Sequence, residues 1–189
     1  MNRPTALAMV NDLVRECRLC ELHATRTNTA FSRGDGSSGL VVVGEAPGAD
    51  EDRLGEPFVG ASGKMLDKWL VDAGVDPTGV YVCNVIKCRP PENRVPTMTE
   101  VSACKGYLYR QIVLVRPRVI VTLGATAARV VVEDSFLRLT ALRGRWQKAY
   151  NAHVMPTWHP AYVMRQRSAA ADVEQDFAAV AARLKGTAS

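Results

Sequence analysis

Between Leu40 and Leu66 the chain reads LVVVGEAPGADEDRLGEPFVGASGKML. Four apolar residues, Leu40 to Val43, give way at once to Gly44-Glu45-Ala46-Pro47-Gly48. An acidic loop with Asp50, Glu51 and Asp52 comes next, then Pro57-Phe58. From Ser62 to Ala73 the residues Met65, Leu66, Trp69, Leu70 and Ala73 share one helical face, and Gly74 ends the run. A short apolar strand that empties into a Gly/Pro loop and then a helix opens a parallel α/β unit. In such sheets the ligand sits just beyond the carboxyl ends of the strands, which places Glu45 and Phe58 where chemistry is done.

The rest of the chain repeats that grammar. Apolar runs at Val80–Ile86, Arg118–Leu123 and His153–Trp158 read as three further strands. Helical patterns cover Thr5–Val14, Thr97–Val115, Ala125–Val132 and Ala169–Leu184. Strands alternating with helices predict an α/β fold. Three of the four strands end on Glu45, Asn84 and His159. A carboxylate, an amide and an imidazole at corresponding strand ends converge on one pocket, and this is the main functional signal in the residues themselves.

Composition narrows the class. At 189 residues, 47% hydrophobic and 23% charged, the chain suits one soluble globular domain. It holds no apolar stretch of membrane-spanning length, and MNRPTALAMVNDLV is too polar for a signal peptide, so a cytoplasmic location is expected. The net charge of +5 is unevenly spread. Residues 135–171 contain six Arg or Lys and no acid, whereas Glu45–Glu56 carries five acids against Arg53. Basic segments around a separately tuned pocket suit a polyanionic partner. The string VGASGKM lacks the glycine and the Ser/Thr of a G-x4-G-K-[ST] phosphate loop, which excludes that class of nucleotide cofactor site. The H-x-E and P-C-x-x-C pair of the zinc deaminases is missing as well.

Five cysteines in a cytoplasmic chain point to metal or catalysis rather than disulfides. Cys17 and Cys20 form a C-x2-C half-site, and Cys88 and Cys104 supply two more thiols. Four thiolates suit zinc or an iron–sulfur cluster, and spacing alone does not choose between them. Cys83 lies in an apolar strand and reads as a core residue.

The segments GEAPGADED (44–52), GEPFVG (55–60), NVIKCRPP (84–91), LGATAA (123–128), LRGRW (142–146) and WHPAY (158–162) together resemble the family 4 uracil-DNA glycosylases, the iron–sulfur type of the uracil-DNA glycosylase superfamily. They follow the family's order along nearly the whole chain. The resemblance implies a three-layer α/β/α sandwich with a central four-stranded parallel sheet. It implies a single domain, 1–189, whose N-terminal segment is clipped on by a structural 4Fe-4S cluster held by Cys17, Cys20, Cys88 and Cys104.

It also implies a monofunctional enzyme, a monomer, that hydrolyses the N-glycosidic bond of deoxyuridine in single- and double-stranded DNA. Catalysis falls to His159, Glu45 and Asn84; the base is held by Glu45, Ala46, Glu51, Phe58, Asn84 and His159. Lys87, Arg89 and Arg94 are expected near the DNA backbone, with Arg165 and Arg167 on a loop that presses into the duplex. Ala46 stands where the best-known uracil glycosylases carry Asp, so Glu45 or a backbone carbonyl has to hold the attacking water. The competing expectation is a protein that traps uracil-containing DNA, covalently or without catalysis.

Overall fold

The computed structural model describes residues 2–186, so residues 1 and 187–189 of the expected 1–189 domain lie outside the described residues. Five strands, β1 Leu40–Gly44, β2 Tyr81–Asn84, β3 Val119–Leu123, β4 Gln147–Ala149 and β5 Ala152–Thr157, form one sheet in the order β2-β1-β3-β5-β4. Eight helices surround it: α1 Arg3–Arg15, α2 Ala49–Leu54, α3 Ala61–Asp72, α4 Met98–Val115, α5 Ala125–Val132, α6 Leu139–Leu142, α7 Pro160–Arg165 and α8 Ala170–Leu184.

Strands β2, β1, β3 and β5 run parallel to one another. Every residue of β1 and β3 is buried, as a strand covered by helices on both faces requires. Alternate side chains serve opposite layers. Val41, Val43, Tyr81, Cys83 and Ile120 join a core with Leu108 and Ile112 of α4 and Ala127 and Val131 of α5. Leu40, Val42, Val119 and Val121 join a second core with Leu66 and Leu70 of α3 and Val173 and Phe177 of α8. The three-layer α/β/α arrangement follows from that alternation. Each fully buried Val or Leu in these strands contributes about 1.5–3 kcal/mol relative to exposure.

Two sequence expectations need correction. The sheet has five strands rather than four and is mixed, because β4 pairs antiparallel with β5 through Gln147↔Val154 and Ala149↔Ala152. The two residues between them, Tyr150 and Asn151, have φ of 52° and 58°. Two consecutive left-handed residues make the tight hairpin turn whose twist matches its strands. Strand β4 stops opposite Val154, before Pro156, which has no N–H to offer a neighbour. The acidic loop after β1 is in fact helical: Asp50, Glu51 and Asp52 sit in the first turn of α2, where negative charge favours the helix.

Candidate active site

Gly44 and Asn84, the last residues of β1 and β2, are register partners, and His159 follows β5 by two residues. All three strand ends open into one cavity of about 530 Å³. Glu45, Ala46, Glu51, Phe58, Asn84 and His159, the six residues expected to hold a base, all line it. The geometry therefore gathers the whole expected base-binding set.

Glycines set its floor. A Cβ on Gly44 would lie 2.5 Å from Phe58 Cζ and would also collide with Asn84 Oδ1. A Cβ on Gly63 would run into the Phe58 carbonyl. The Phe58 ring and the Asn84 amide thus come together over a bare Cα. Phe58 is buried and has a φ of 57°, a left-handed backbone that costs a side-chain-bearing residue about 1–2 kcal/mol. Glu51 helps to hold it there. Its Oε1 accepts from the N–H groups of Val59 (3.0 Å) and Gly60 (2.9 Å), and its Oε2 accepts from Gly48 N–H (3.0 Å). Both oxygens of Glu51 are thereby committed to backbone, tying the loop after β1 to the Phe58 turn.

Asn84 is 1% exposed, and its Oδ1 has no hydrogen-bond partner. A buried amide oxygen left unpaired is costly and marks a group kept for a ligand. His159 caps α7, its Nδ1 accepting from Ala161 N–H at 3.1 Å. That contact leaves the ring proton on Nε2. Burial, with Arg165 nearby, pushes the imidazole down to about 4, so it is neutral at physiological pH and offers Nε2–H as a donor. The ring lies 6.1 Å from that of Phe58. The Glu45 carboxylate, half-buried at the cavity wall, makes no hydrogen bond or ion pair with another described residue.

The basic residues divide. Arg94 and Arg165 line the cavity, while Arg167 is exposed in the turn after α7. Arg89 donates to Asn93 Oδ1 at 2.7 Å. Lys87 is not on the surface, contrary to expectation. It is 1% exposed, its Nζ donates to the Asn84 main-chain carbonyl at 2.6 Å, and burial lowers its basicity. A lysine beside Cys88 in a basic run looks like surface until the chain folds over it.

Residues that the sequence did not single out also shape the cavity. Tyr162 lines it and stacks on Trp158, with ring centroids 4.8 Å apart. Gly124, at φ 92°, turns β3 into α5 beside His159. Both fall inside segments already quoted, but nothing local in the sequence separates them from their neighbours.

Cys17, Cys20, Cys88 and Cys104 line a second, small cavity together with Arg26, Lys87 and Tyr107. Arg26 Nη1 donates to Cys88 Sγ at 3.1 Å, and burial pushes the Cys104 thiol up to about 11. Among the described residues no three His, Cys, Asp or Glu side chains are placed to hold a single metal ion. Cys83, buried within β2, is not one of the four.

The family model described as "Uracil DNA glycosylase superfamily" matches residues 31–185. Curated relatives include a type-4 uracil-DNA glycosylase of Thermotoga maritima, 42% identical over 169 residues that span 88% of this chain and 87% of that one. Another, from Archaeoglobus fulgidus, is 43% identical over 180 residues, 89% of each. A type-5 uracil-DNA glycosylase of Pyrobaculum aerophilum is 35% identical over 143 residues, 67% of this chain and 63% of that one.

Proposed function

The chain belongs to the uracil-DNA glycosylase superfamily, on its type-4 branch, and from that premise we propose how its pocket divides the work. It is a monofunctional uracil-DNA glycosylase of DNA repair: it releases uracil and leaves an abasic site. The C1′–N1 bond breaks with its electron pair going to uracil, water oxygen bonds to C1′, and the proton that water loses balances the one the uracil anion takes up. The base is flipped out of the stack so that these groups can reach it.

Phe58 gives the extruded base an aromatic face. Asn84 Oδ1 accepts from the ring N–H of uracil and its amide donates to the adjacent carbonyl; cytosine presents the opposite pattern there. Neutral His159 donates Nε2–H to the other carbonyl, where charge builds as the bond breaks, and a preorganised donor at that point is worth about 3–4 kcal/mol. Glu45, the free carboxylate at the wall, holds the attacking water. Glu51 acts through the loop it braces. Arg165 and Arg167, with Arg89 and Arg94 on the other side, take the backbone of single- or double-stranded DNA.

The four cysteines fit a 4Fe-4S cluster. Four thiols ring one cavity without converging on a single-ion site, and Arg26 and Lys87 supply positive charge against the thiolates. When bound, the cluster supplies a structural tie between the segment after α1, the loop after β2, and α4. No step of the reaction runs through it. The reading includes a single domain acting as a cytoplasmic monomer: one chain supplies the whole pocket, and all five thiols are free. No helix among the described residues is long and apolar enough to cross a membrane.

The unpaired Oδ1 of buried Asn84, a residue that lines the cavity beside Phe58, carries this proposal. The test is an end-labelled oligonucleotide with one uracil, run on a denaturing gel before and after hot alkali. A short product only after alkali is expected, and His159→Ala slows its formation about 100-fold or more. An uncut strand overturns the reading. If that strand also runs retarded under denaturing conditions, covalent trapping replaces it.

A further inference from the structure

The LRGRW segment has no place in the pocket chemistry, yet its Arg143 reaches two carboxylates of α8 that hold the residues just before His159. Thr157 and Trp158, the two residues before His159, are each held by a carboxylate of α8. Thr157 Oγ1 donates to Asp176 Oδ2 at 2.5 Å, and Trp158 Nε1 donates to Asp172 Oδ2 at 3.1 Å. Asp172 and Asp176 stand one turn apart on one face of α8. Arg143 bridges them: its Nη1 reaches both Asp176 oxygens and the Asp172 carbonyl, each at 3.1 Å, and its Nη2 lies 3.5 Å from Asp172 Oδ1.

Asp176 is 4% exposed and Thr157 is fully buried. A Cβ on Gly144 would press on Asp176 Oδ1 at 2.9 Å, so the glycine of LRGRW gives that carboxylate its room. Gly144 N–H also donates to the Pro156 carbonyl at 3.1 Å, and Gly124 N–H to that of Thr157 at 3.0 Å. The end of β5 is thus fixed residue by residue up to His159.

We propose that Asp172 and Asp176, bridged by Arg143, are positioning residues that set the His159 imidazole against the base. An acid in the first turn of α8 serves the helix dipole wherever its side chain points. The dipole does not explain why it takes the indole N–H of the residue next to the catalytic histidine. Trp158 in turn stacks on Tyr162, which lines the cavity, so the clamp reaches the pocket from two sides.

The proposal rests on the role given to His159, and the test separates the two. Single-turnover excision rates and DNA affinity are measured for wild type, Asp172→Ala, Trp158→Phe, the double variant and Asp172→Asn. The temperature is kept below the lowest melting midpoint of the set. Each single change is expected to slow excision about tenfold with DNA affinity within about twofold, since small misplacements of a catalytic group are costly. The double variant loses no more than Asp172→Ala alone, because that change already removes the Trp158–Asp172 hydrogen bond. Asp172→Asn, which keeps an acceptor for the indole, stays near wild type. The nitrogen NMR signals of the His159 ring shift in the Asp172→Ala and Trp158→Phe proteins but not in Asp172→Asn.

Unchanged rates and unchanged ring signals overturn the clamp, as do additive losses in the double variant. His159→Ala runs beside the set. If it excises uracil at the wild-type rate, the role of His159 fails instead, and the ring signals alone then decide whether Asp172 and Trp158 position it.

Discussion

Gly44 has no side chain, and two groups of the base pocket depend on that. Its Cα is the surface on which the Phe58 ring and the Asn84 amide meet, leaving no volume for a methyl group. Gly44→Ala is expected to cut the excision rate about 100-fold by pushing the ring or the amide out of line. DNA affinity changes little, because the backbone contacts lie at the rim. The strain of one extra methyl costs about 1–3 kcal/mol, small enough for the fold to survive. A single-turnover assay beside a thermal melt checks it, and an excision rate within twofold of wild type would refute the floor assigned to Gly44.

Helix α4 shows how an element's own end can serve the pocket. Thr97 and Glu100 form a reciprocal cap: Thr97 Oγ1 accepts from Glu100 N–H at 3.2 Å, and Glu100 Oε2 accepts from Thr97 N–H at 2.7 Å. The same carboxylate takes both Arg94 guanidinium nitrogens, at 2.9 and 2.6 Å, which holds Arg94 at the cavity rim. Arg94 and the cap depress Glu100 from 4.5 to about 2. A carboxyl with a lowered folded value adds stability that is complete above its unfolded value. That stability is lost as pH falls from about 4.5 toward about 2. Glu100→Gln keeps an amide able to close the cap but removes the titration. Urea melts across that pH range are expected to show a shallower fall in stability than wild type, by the slope of about one proton; identical slopes would rule out the Arg94–Glu100 linkage.

Elements differ in how much of themselves they write into local sequence. Strand β1 is an unbroken apolar run closed by Gly44, and the start of helix α5 is legible because Gly124 closes β3 directly before it. Strand β4 is three residues long, and its turn is Tyr150-Asn151 rather than a glycine pair, so neither length nor punctuation announces it. That Glu45, Asn84 and His159 line one cavity was legible because strand ends in a parallel sheet point to one place, whereas Ala46 and Glu51 came from the family resemblance. Lys87 was misplaced because its burial comes from Phe31 and the cysteine loop, far away in sequence. The left-handed backbone of Phe58 and the clamp on β5 are likewise tertiary facts, set by Glu51 and by α8.

At the scale of the molecule, the four cysteines bring the segment behind α1, the loop after β2 and α4 to one small cavity, which the proposed cluster would tie together. Helix α1 packs on α4 through Val10 and Val14, with Phe31, against Tyr107 and Leu114. Cys88→Ser is therefore expected to lower bound iron and to drop the melting temperature by about 10 °C, roughly 3 kcal/mol for a chain of this size. Excision measured well below that temperature persists, because no step uses the cluster. Iron analysis with calorimetry tests this, and an unchanged melting temperature in an iron-free variant would contradict the structural role.

The strand order β2-β1-β3-β5-β4 also fixes a timetable. As the chain leaves the ribosome, β2 can dock on β1 and β3 on its other side as soon as each appears. Within the sheet, strand β4 pairs only with β5 and has to wait for it. All four cysteines are out before β3 is made, whereas His159 follows the last strand to be synthesised. A nascent chain can thus gather its four cysteines and pair three strands before it holds the histidine proposed to act on the base. On that proposal, the capacity to cut a base out of a genome arrives only after β5.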